Sequence, residues 1–204
     1  MEFAAERCYF LPMPHALRST ILAALILLAG CGPDKPWHAT NITGSMPQLA
    51  FAMTRASDST SVTAKDYKGR VVLLYFGYTR CPDVCPATLA NLSDVLHRLG
   101  RDADKVRVLF VTVDPNRDTL DVLKPYTQSF GQQVDGLRGT DNQLAALARR
   151  YRVAYSVTTA PEYQVMHSSA VFAFDEKGNA RLVTMDTNDT AGLTADLKRI
   201  INGD

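Results

Sequence analysis

Two cysteines separated by three residues, Cys81 and Cys85, are the residues of this chain best suited to chemistry. A thiolate attacks disulfides and binds soft metal ions. The C-x-x-x-C spacing is one residue longer than the C-x-x-C of thiol-disulfide oxidoreductases. The additional residue relaxes the geometry of a readily exchanged disulfide and leaves room for both thiolates to meet one ion. The motif therefore indicates redox or metal chemistry, while a structural disulfide in an exported protein remains an alternative.

The elements on either side of the motif place both thiols at a turning point of the chain. Residues 71–76 form an apolar run of strand length, and leucines and a valine then recur at helical spacing up to Gly100. Pro82 and Pro86 bracket the second cysteine, and a helix tolerates proline only in its first turn, so we predict that the helix begins near Cys85. Unpaired amide groups and the helix dipole at this end would stabilise a thiolate.

The remaining pattern predicts an α/β domain. We expect an N-terminal hairpin from residues 47–53 and 61–63, strands at 106–113, 153–157, 170–174 and 180–184, one helix capped by Asp118 or Thr119, another capped by Asp141, and a last helix over 190–201. The order strand, helix, strand, helix, hairpin, helix is that of a thioredoxin-like fold with a mixed sheet flanked by helices.

Composition limits the classes of function that need consideration. The chain has 204 residues, 46% of them hydrophobic, and a formal net charge of +1. These values suit one well-buried domain and give no electrostatic argument for nucleic-acid binding. Of the four cysteines, Cys8 and Cys31 lie in the N-terminal region, so the domain has a single thiol pair.

The N-terminal region has the features of an export signal. A basic residue, Arg18, precedes the apolar run 21–28, and the ending Leu-Ala-Gly-Cys at 28–31 resembles the bacterial lipoprotein box, in which the chain is cleaved before a cysteine that then carries lipid. We therefore predict a signal segment over 1–30, with Met13 as a candidate true start, a tether lipidated at Cys31 over 31–44, and the domain over 45–204. An uncleaved anchor is the alternative, but the apolar run is about half of the ~20 residues that span a bilayer.

Three segments together resemble the Sco/SenC family. They are GYTRCPDVCPATL at 77–89, VDPNRDT at 113–119, and a His-Ser pair at 167–168, which we expect in a loop ahead of an apolar strand. Members of that family are membrane-tethered thioredoxin-fold copper proteins that help to assemble the dinuclear copper site of cytochrome c oxidase. The resemblance implies copper, Cu(I) or Cu(II), as the bound metal and Cys81, Cys85 and His167 as its ligands.

The chemistry of these donors agrees with that implication. Two thiolates and one imidazole form a soft set of low coordination number that favours Cu(I) and can also hold Cu(II). A structural zinc site would need a fourth protein ligand, and none is evident in the sequence. A zinc ion with the same three ligands and water stays an alternative by ligand count.

Other positions of the resemblance bear on the surroundings of these ligands. The family commonly has Asp immediately before the histidine, where this chain has Met166. That difference removes a candidate partner for the imidazole, which bears on metal affinity and redox tuning. Asp114 is expected at the sheet edge that carries the cysteine loop, where it orients a ligand or partner or only serves the turn. Asp118 is expected to cap a helix.

Two functions follow from the resemblance. The first is a copper metallochaperone that delivers copper to, or prepares the cysteines of, the copper-binding subunit of cytochrome c oxidase. The second is a thiol-disulfide reductase of exported proteins, with the Cys81 and Cys85 pair as its redox centre. Other periplasmic copper carriers or thiol reductases are expected partners, and the expected location is the bacterial cell envelope, anchored by lipid. A thiol peroxidase is disfavoured, because its motif would need Pro at position 74 and Ser or Thr at position 78, where this chain has Leu74 and Tyr78.

Overall fold

The computed structural model describes residues 35–204, and Trp37–Asp204 forms one compact unit. The predicted signal segment, Cys8 and the predicted lipidation site Cys31 lie outside the described residues. Within residues 35–204, no helix has both the length and the apolar character required to cross a bilayer.

An eight-stranded mixed sheet forms the centre of the molecule. In spatial order its strands are β1 (Thr40–Asn41), β10 (Ala180–Thr184), β9 (Val171–Phe174), β4 (Val71–Gly77), β5 (Val106–Thr112), β6 (Val134–Arg138), β2 (Ala52–Arg55) and β3 (Ser61–Thr63). Strands β4, β5 and β6 are parallel, whereas β9 runs antiparallel to β4 and β2 antiparallel to β6. The mixed, thioredoxin-like sheet and its N-terminal β2–β3 hairpin confirm the predicted fold class.

Four α-helices cover the sheet. They are α1 (Val84–Leu99), α2 (Leu120–Gln128), α3 (Asp141–Tyr151) and α4 (Thr190–Ile201), and two short 3-10 helices occupy Ala64–Tyr67 and Gly100–Lys105. The side chains of Thr119 and Thr140 accept hydrogen bonds from the first turns of α2 and α3. Thr119 is thus the cap of α2, and the prediction of Asp118 as a cap was wrong. Asp141 lies inside α3 and is not its cap.

Strand β4 divides the core into two layers because alternate residues point to opposite faces. Leu73 and Tyr75 face the layer that contains apolar side chains of α1 and α4, whereas Leu74 and Phe76 face the layer that contains those of α3. All four side chains are fully buried. The near-continuous apolar sequence of β4 is therefore explained by helices on both faces of the sheet.

Three strands lie outside the sequence prediction. Strand β6 pairs with β5 although it contains Asp135 and Gly136, which weaken its strand pattern. The short β1 pairs with β10, so residues that the sequence assigned to the tether belong to the sheet. Strand β8 (Gln164–His167) pairs with β7 (Tyr155–Thr158) in a separate antiparallel hairpin, where the sequence predicted one strand and a loop.

Candidate metal centre

The cysteine motif lies at the carboxyl end of the central strands. Strand β4 ends at Gly77, the chain turns through Cys81, and α1 returns over the sheet from Val84. A Cβ atom added to Gly77 would lie 2.9 Å from Cys85 Sγ and 2.6 Å from the Phe110 ring. Glycine at this position therefore lets the helix end approach the strand closely enough to bury Cys85.

Cys81, Cys85 and His167 converge at this edge. Their ligand atoms all lie within 4.8 Å of one another, and Cys85 Sγ is 3.2 Å from His167 Nε2. Both thiols are free. Cys85 is fully buried, whereas Cys81 and His167 are partly exposed. The structure thus brings together the three residues that the sequence selected, in an arrangement suited to one metal ion.

The β7–β8 hairpin brings His167 back to the cysteines over 82 residues of chain. His167 is the last residue of β8 and pairs with Tyr155 of β7. The histidine is therefore fixed by strand pairing, and the prediction of a loop at this position was wrong. Alternation along β8 does separate the side chains of Met166 and His167, since Met166 is 68% exposed while the imidazole faces Cys85.

The tautomer of His167 follows from its surroundings. Its Nδ1 atom lies 2.9 Å from the backbone carbonyl oxygen of Ser168, which can only accept a hydrogen bond. Nδ1 therefore carries the proton, and the lone pair of Nε2 faces Cys85. The Ser168 carbonyl thus supplies the imidazole partner that the sequence comparison expected from an aspartate at the position of Met166.

The two thiols have different environments. Burial raises the pKa of the Cys85 thiol to about 12. The backbone amide of Cys85, at the helix start, donates to Cys81 Sγ over 3.3 Å. The helix-end amide therefore points to Cys81 Sγ, whereas desolvation dominates at Cys85 and favours its protonated thiol.

Tyrosine rings form the walls of the site. The rings of Tyr75 and Tyr78 meet the His167 imidazole edge-on, with centroids 6.1 Å and 5.7 Å apart. Tyr78, Cys81 and His167 line an open cavity of about 530 Å³, whose rim includes the exposed side chains of Val84 and Met166. Copper or a partner's side chain can therefore reach Cys81 from solvent, while Cys85 lies behind it.

Asp114 acts on the site through the hairpin. Its buried carboxylate accepts a hydrogen bond from the Tyr163 hydroxyl at 2.6 Å and from Arg117 Nε at 2.5 Å. The Arg117 guanidinium also stacks on the Tyr163 ring, 3.7 Å from its centroid. Tyr163 directly precedes β8, so these contacts tie the hairpin that carries His167 to the end of β5. The sequence contained no signal for Tyr163.

Asp118 fastens the cysteine loop. Its buried carboxylate accepts hydrogen bonds from the Thr79 amide at 3.0 Å and from the hydroxyls of Thr79 and Thr112, both at 2.6 Å. Thr112 ends β5 and Thr79 lies two residues before Cys81. Asp118 therefore connects the loop to the neighbouring strand.

The other described histidines lie away from the centre. His97 is exposed on α1, and His38 is exposed with Nδ1 3.5 Å from an Asp189 oxygen. Among the described residues, Cys81, Cys85 and His167 are the only group of three or more metal-ligating side chains within reach of one ion. Two soft sulfur donors and one imidazole suit Cu(I) best and also suit Cu(II).

Comparison with known proteins gives consistent matches. The model of the SCO1/SenC family matches residues 43–202. The mitochondrial SCO2 homolog of Bos taurus is 42% identical over an alignment of 186 residues that covers 82% of this chain and 69% of the relative. This chain therefore spans about 69% of the length of that relative.

Solved structures agree with the sequence matches. ScoI of Bradyrhizobium japonicum with copper bound is 36% identical with a TM-score of 0.68, over 75% of this chain and 98% of the other. Yeast Sco1 with copper bound is 28% identical with a TM-score of 0.69, over 78% of this chain and 91% of the other. Both relatives thus hold copper on the fold described here.

Proposed function

Because this chain belongs to the SCO1/SenC family, we propose that it binds copper through Cys81, Cys85 and His167 and delivers it to the dinuclear copper site of cytochrome c oxidase, or prepares the cysteines of that site. The observation that carries the proposal is the convergence of two free thiols and one imidazole nitrogen within 4.8 Å. Two sulfur atoms and one imidazole nitrogen can coordinate a soft ion in place of its water ligands, and a fourth protein ligand is not required.

The surroundings of the donors support uptake and release of an ion. Cys81 is the accessible sulfur and forms the entry point, whereas Cys85 and His167 complete the site from within. Binding releases the proton of Cys85, and His167 presents Nε2 to the site while its Nδ1 atom contacts the Ser168 carbonyl. Apolar rim residues, Val84 and Met166, offer a surface for a partner that presents its own thiols or imidazoles.

Anaerobic copper titration of the reduced domain, residues 37–204, tests the proposal. We expect one Cu(I) per chain in the wild type and in His167→Ala, because two thiolates suffice for Cu(I), but a loss of Cu(II) affinity greater than 100-fold in His167→Ala. His97→Ala, an exposed histidine on α1, is the matched control and should bind both ions as the wild type does. Wild-type Cu(II) affinity in His167→Ala would exclude the imidazole as a ligand.

The second candidate function is thiol-disulfide exchange with exported proteins. It is favoured by the accessible Cys81 sulfur, which accepts the helix amide and can attack a substrate disulfide, and by the buried Cys85 thiol within 4.8 Å that can then release the mixed disulfide. Exchange should persist in His167→Ala. If that variant loses Cu(II) affinity but keeps reductase activity and still supports oxidase assembly, reduction is the main activity.

We also propose that lipid on Cys31 anchors the domain to a membrane of the bacterial cell envelope, outside the cytoplasm, on the basis of Arg18, the apolar run 21–28 and the Leu-Ala-Gly-Cys ending. Mass spectrometry of the mature protein should find a diacylated N-terminal cysteine, and Cys31→Ser should release the protein from membranes. An intact N-terminal segment or an unmodified Cys31 would contradict the proposal.

A further inference from the structure

Two tyrosine hydroxyls in the described part of the chain are buried without a hydrogen-bond partner. They belong to Tyr75 on β4 and Tyr126 on α2. A buried hydroxyl without a partner loses its hydration and gains nothing in return, so such groups are rare and call for an explanation. Both lie in the same core layer as Cys85, and the Phe110 ring contacts each of their rings.

The position of Tyr75 connects it to the metal centre. Strand alternation places Tyr75 on the same face of β4 as Gly77, whose absent side chain makes room for Cys85 Sγ. The Tyr75 ring meets the His167 imidazole edge-on, with centroids 6.1 Å apart. Tyr75 is fully buried, so its hydroxyl has no access to water, and Thr88 and Cys85 are the side chains that approach the hydroxyl. Tyr126 has no such ring contact with His167.

We propose that the Tyr75 hydroxyl donates a hydrogen bond to Cys85 Sγ when that sulfur binds copper as a thiolate, which makes Tyr75 a positioning residue of the site. The proposal rests on the proposed copper-binding function. In the structure Cys85 Sγ contacts His167 Nε2 at 3.2 Å and makes no hydrogen bond with the Tyr75 hydroxyl. A thiolate is a stronger acceptor, so binding supplies the missing partner.

The ionisation of Tyr75 is compatible with this role. Burial, followed by the nearby Cys85 charge, raises the pKa of the Tyr75 hydroxyl well above its ordinary value. The hydroxyl therefore remains a donor at any pH at which a cell operates.

Tyr75→Phe separates this role from a structural one because it removes only the hydroxyl. We expect the metal-free domain to be as stable as the wild type or more stable, since an unpaired buried polar atom is lost. Copper affinity should nevertheless fall about tenfold, within the ~10–100-fold range for groups that orient metal ligands. The thiolate-to-Cu(II) charge-transfer band should move to longer wavelength, because a thiolate without its hydrogen bond gives up electron density more readily.

Tyr126→Phe is the matched control, since it removes the other buried, unpaired hydroxyl, from a partly buried residue that packs against the same layer. It should leave copper affinity and the absorption band unchanged. The proposal is overturned if Tyr75→Phe binds copper with wild-type affinity and spectrum, or if both variants change in the same way.

A parallel titration with Cd²⁺ distinguishes this proposal from the proposed function. Cd²⁺ is a soft ion that does not change its oxidation state, and its binding to thiolates is followed by their absorption band. A wild-type chain that takes Cd²⁺ but not copper would remove the copper function, and the Cd²⁺ affinity of Tyr75→Phe would still decide the role of the hydroxyl. A wild-type chain that takes neither ion would contradict both.

Discussion

At the scale of single residues, the two cysteines of the site differ in exposure and in surroundings. Cys81 is accessible and accepts a helix amide, whereas Cys85 is buried and holds its proton more tightly than an ordinary thiol. A metal ion binds the thiolate form, so in the proposed function copper displaces the Cys85 proton. The cost of that displacement depends on pH.

Copper affinity should therefore rise with pH. The pKa of Cys85 is raised by burial to about 12, so at any pH below that value the thiol is protonated before binding. Each proton released on binding increases the affinity about tenfold per pH unit. Competition titrations from pH 6 to 8 measure the slope of the logarithm of the Cu(I) affinity against pH. This slope should be at least about one in the wild type and smaller by about one in Cys85→Ser. An affinity independent of pH would contradict this assignment.

Met166→Asp should have a small effect on copper binding. The imidazole Nδ1 proton already has the Ser168 carbonyl as its acceptor, so an aspartate at the exposed position 166 has no unpaired group to orient. We expect Cu(II) affinity to change less than about tenfold, the lower limit for loss or gain of such a partner. Spectroscopic titration of Cu(II) measures it, and a larger gain would mean that the carbonyl does not fix the ring.

At the scale of elements, two buried carboxylates hold the parts of the site in register. Asp118 fixes the cysteine loop to β5, and Asp114 fixes the β7–β8 hairpin to the segment that follows β5. Both aspartates lie in one turn after the same strand, so that turn controls the distance between the cysteines and His167. The VDPNRDT segment at 113–119 thus positions the cysteine loop and the hairpin, and its aspartates do not belong to the group of candidate ligands.

Tyr163→Phe should loosen the hairpin without altering the cysteines. The variant loses the hydrogen bond to the buried Asp114 carboxylate, with a stability cost of about 2 kcal/mol, while Arg117 keeps its place against the ring. Hydrogen exchange of amides in β8 should accelerate and Cu(II) affinity should fall several-fold, with unchanged alkylation of Cys81. Tyr155→Phe on the paired strand is the control. Equal effects of both variants would argue against a role for Asp114.

Asp118→Ala should destabilise the domain by about 3 kcal/mol. Three donors, the Thr79 amide and the hydroxyls of Thr79 and Thr112, lose their acceptor in a buried place. Urea unfolding measures the change, and Asp121→Ala, an exposed carboxylate in the first turn of α2, should cost less than about 1 kcal/mol. A loss below 1 kcal/mol in Asp118→Ala would show that water replaces the carboxylate.

At the scale of the whole molecule, the site joins segments that are far apart in sequence. Cys85 begins the helix that follows the central strand, and His167 ends a hairpin 82 residues later. An ion bound by both connects the hairpin to the main sheet. Unfolding separates the ligands, so binding and folding are thermodynamically coupled.

Copper should therefore raise the thermal stability of the domain. With free Cu(I) at 100 times its dissociation constant, the free energy of unfolding should increase by about 2.7 kcal/mol. Calorimetry under anaerobic conditions measures the shift, which should be smaller for Cu(II) in His167→Ala than in the wild type. An unchanged melting temperature with bound copper would mean that the unfolded chain binds the ion equally well.

The sequence by itself determined the elements whose pattern is local. The apolar strand β4, the amphipathic helix α1 with both thiols at its start, strand β5 and the final helix follow from periodicity and from proline and glycine positions. The three converging side chains were identified through the family resemblance of the cysteine motif and of His167. The spacing of Cys81 and Cys85 alone left both redox and metal chemistry open.

Only the tertiary structure decided what depends on contacts between distant residues. Strand β1 and the β7–β8 hairpin exist because of partners that a local pattern does not identify, and the weak pattern of β6 is overcome by pairing with β5. The orientation of His167 depends on a backbone carbonyl, and the elevated pKa of Cys85 depends on burial beneath the sheet. Neither a main-chain acceptor nor the extent of desolvation is encoded in residue type, so both become visible only when the chain is folded.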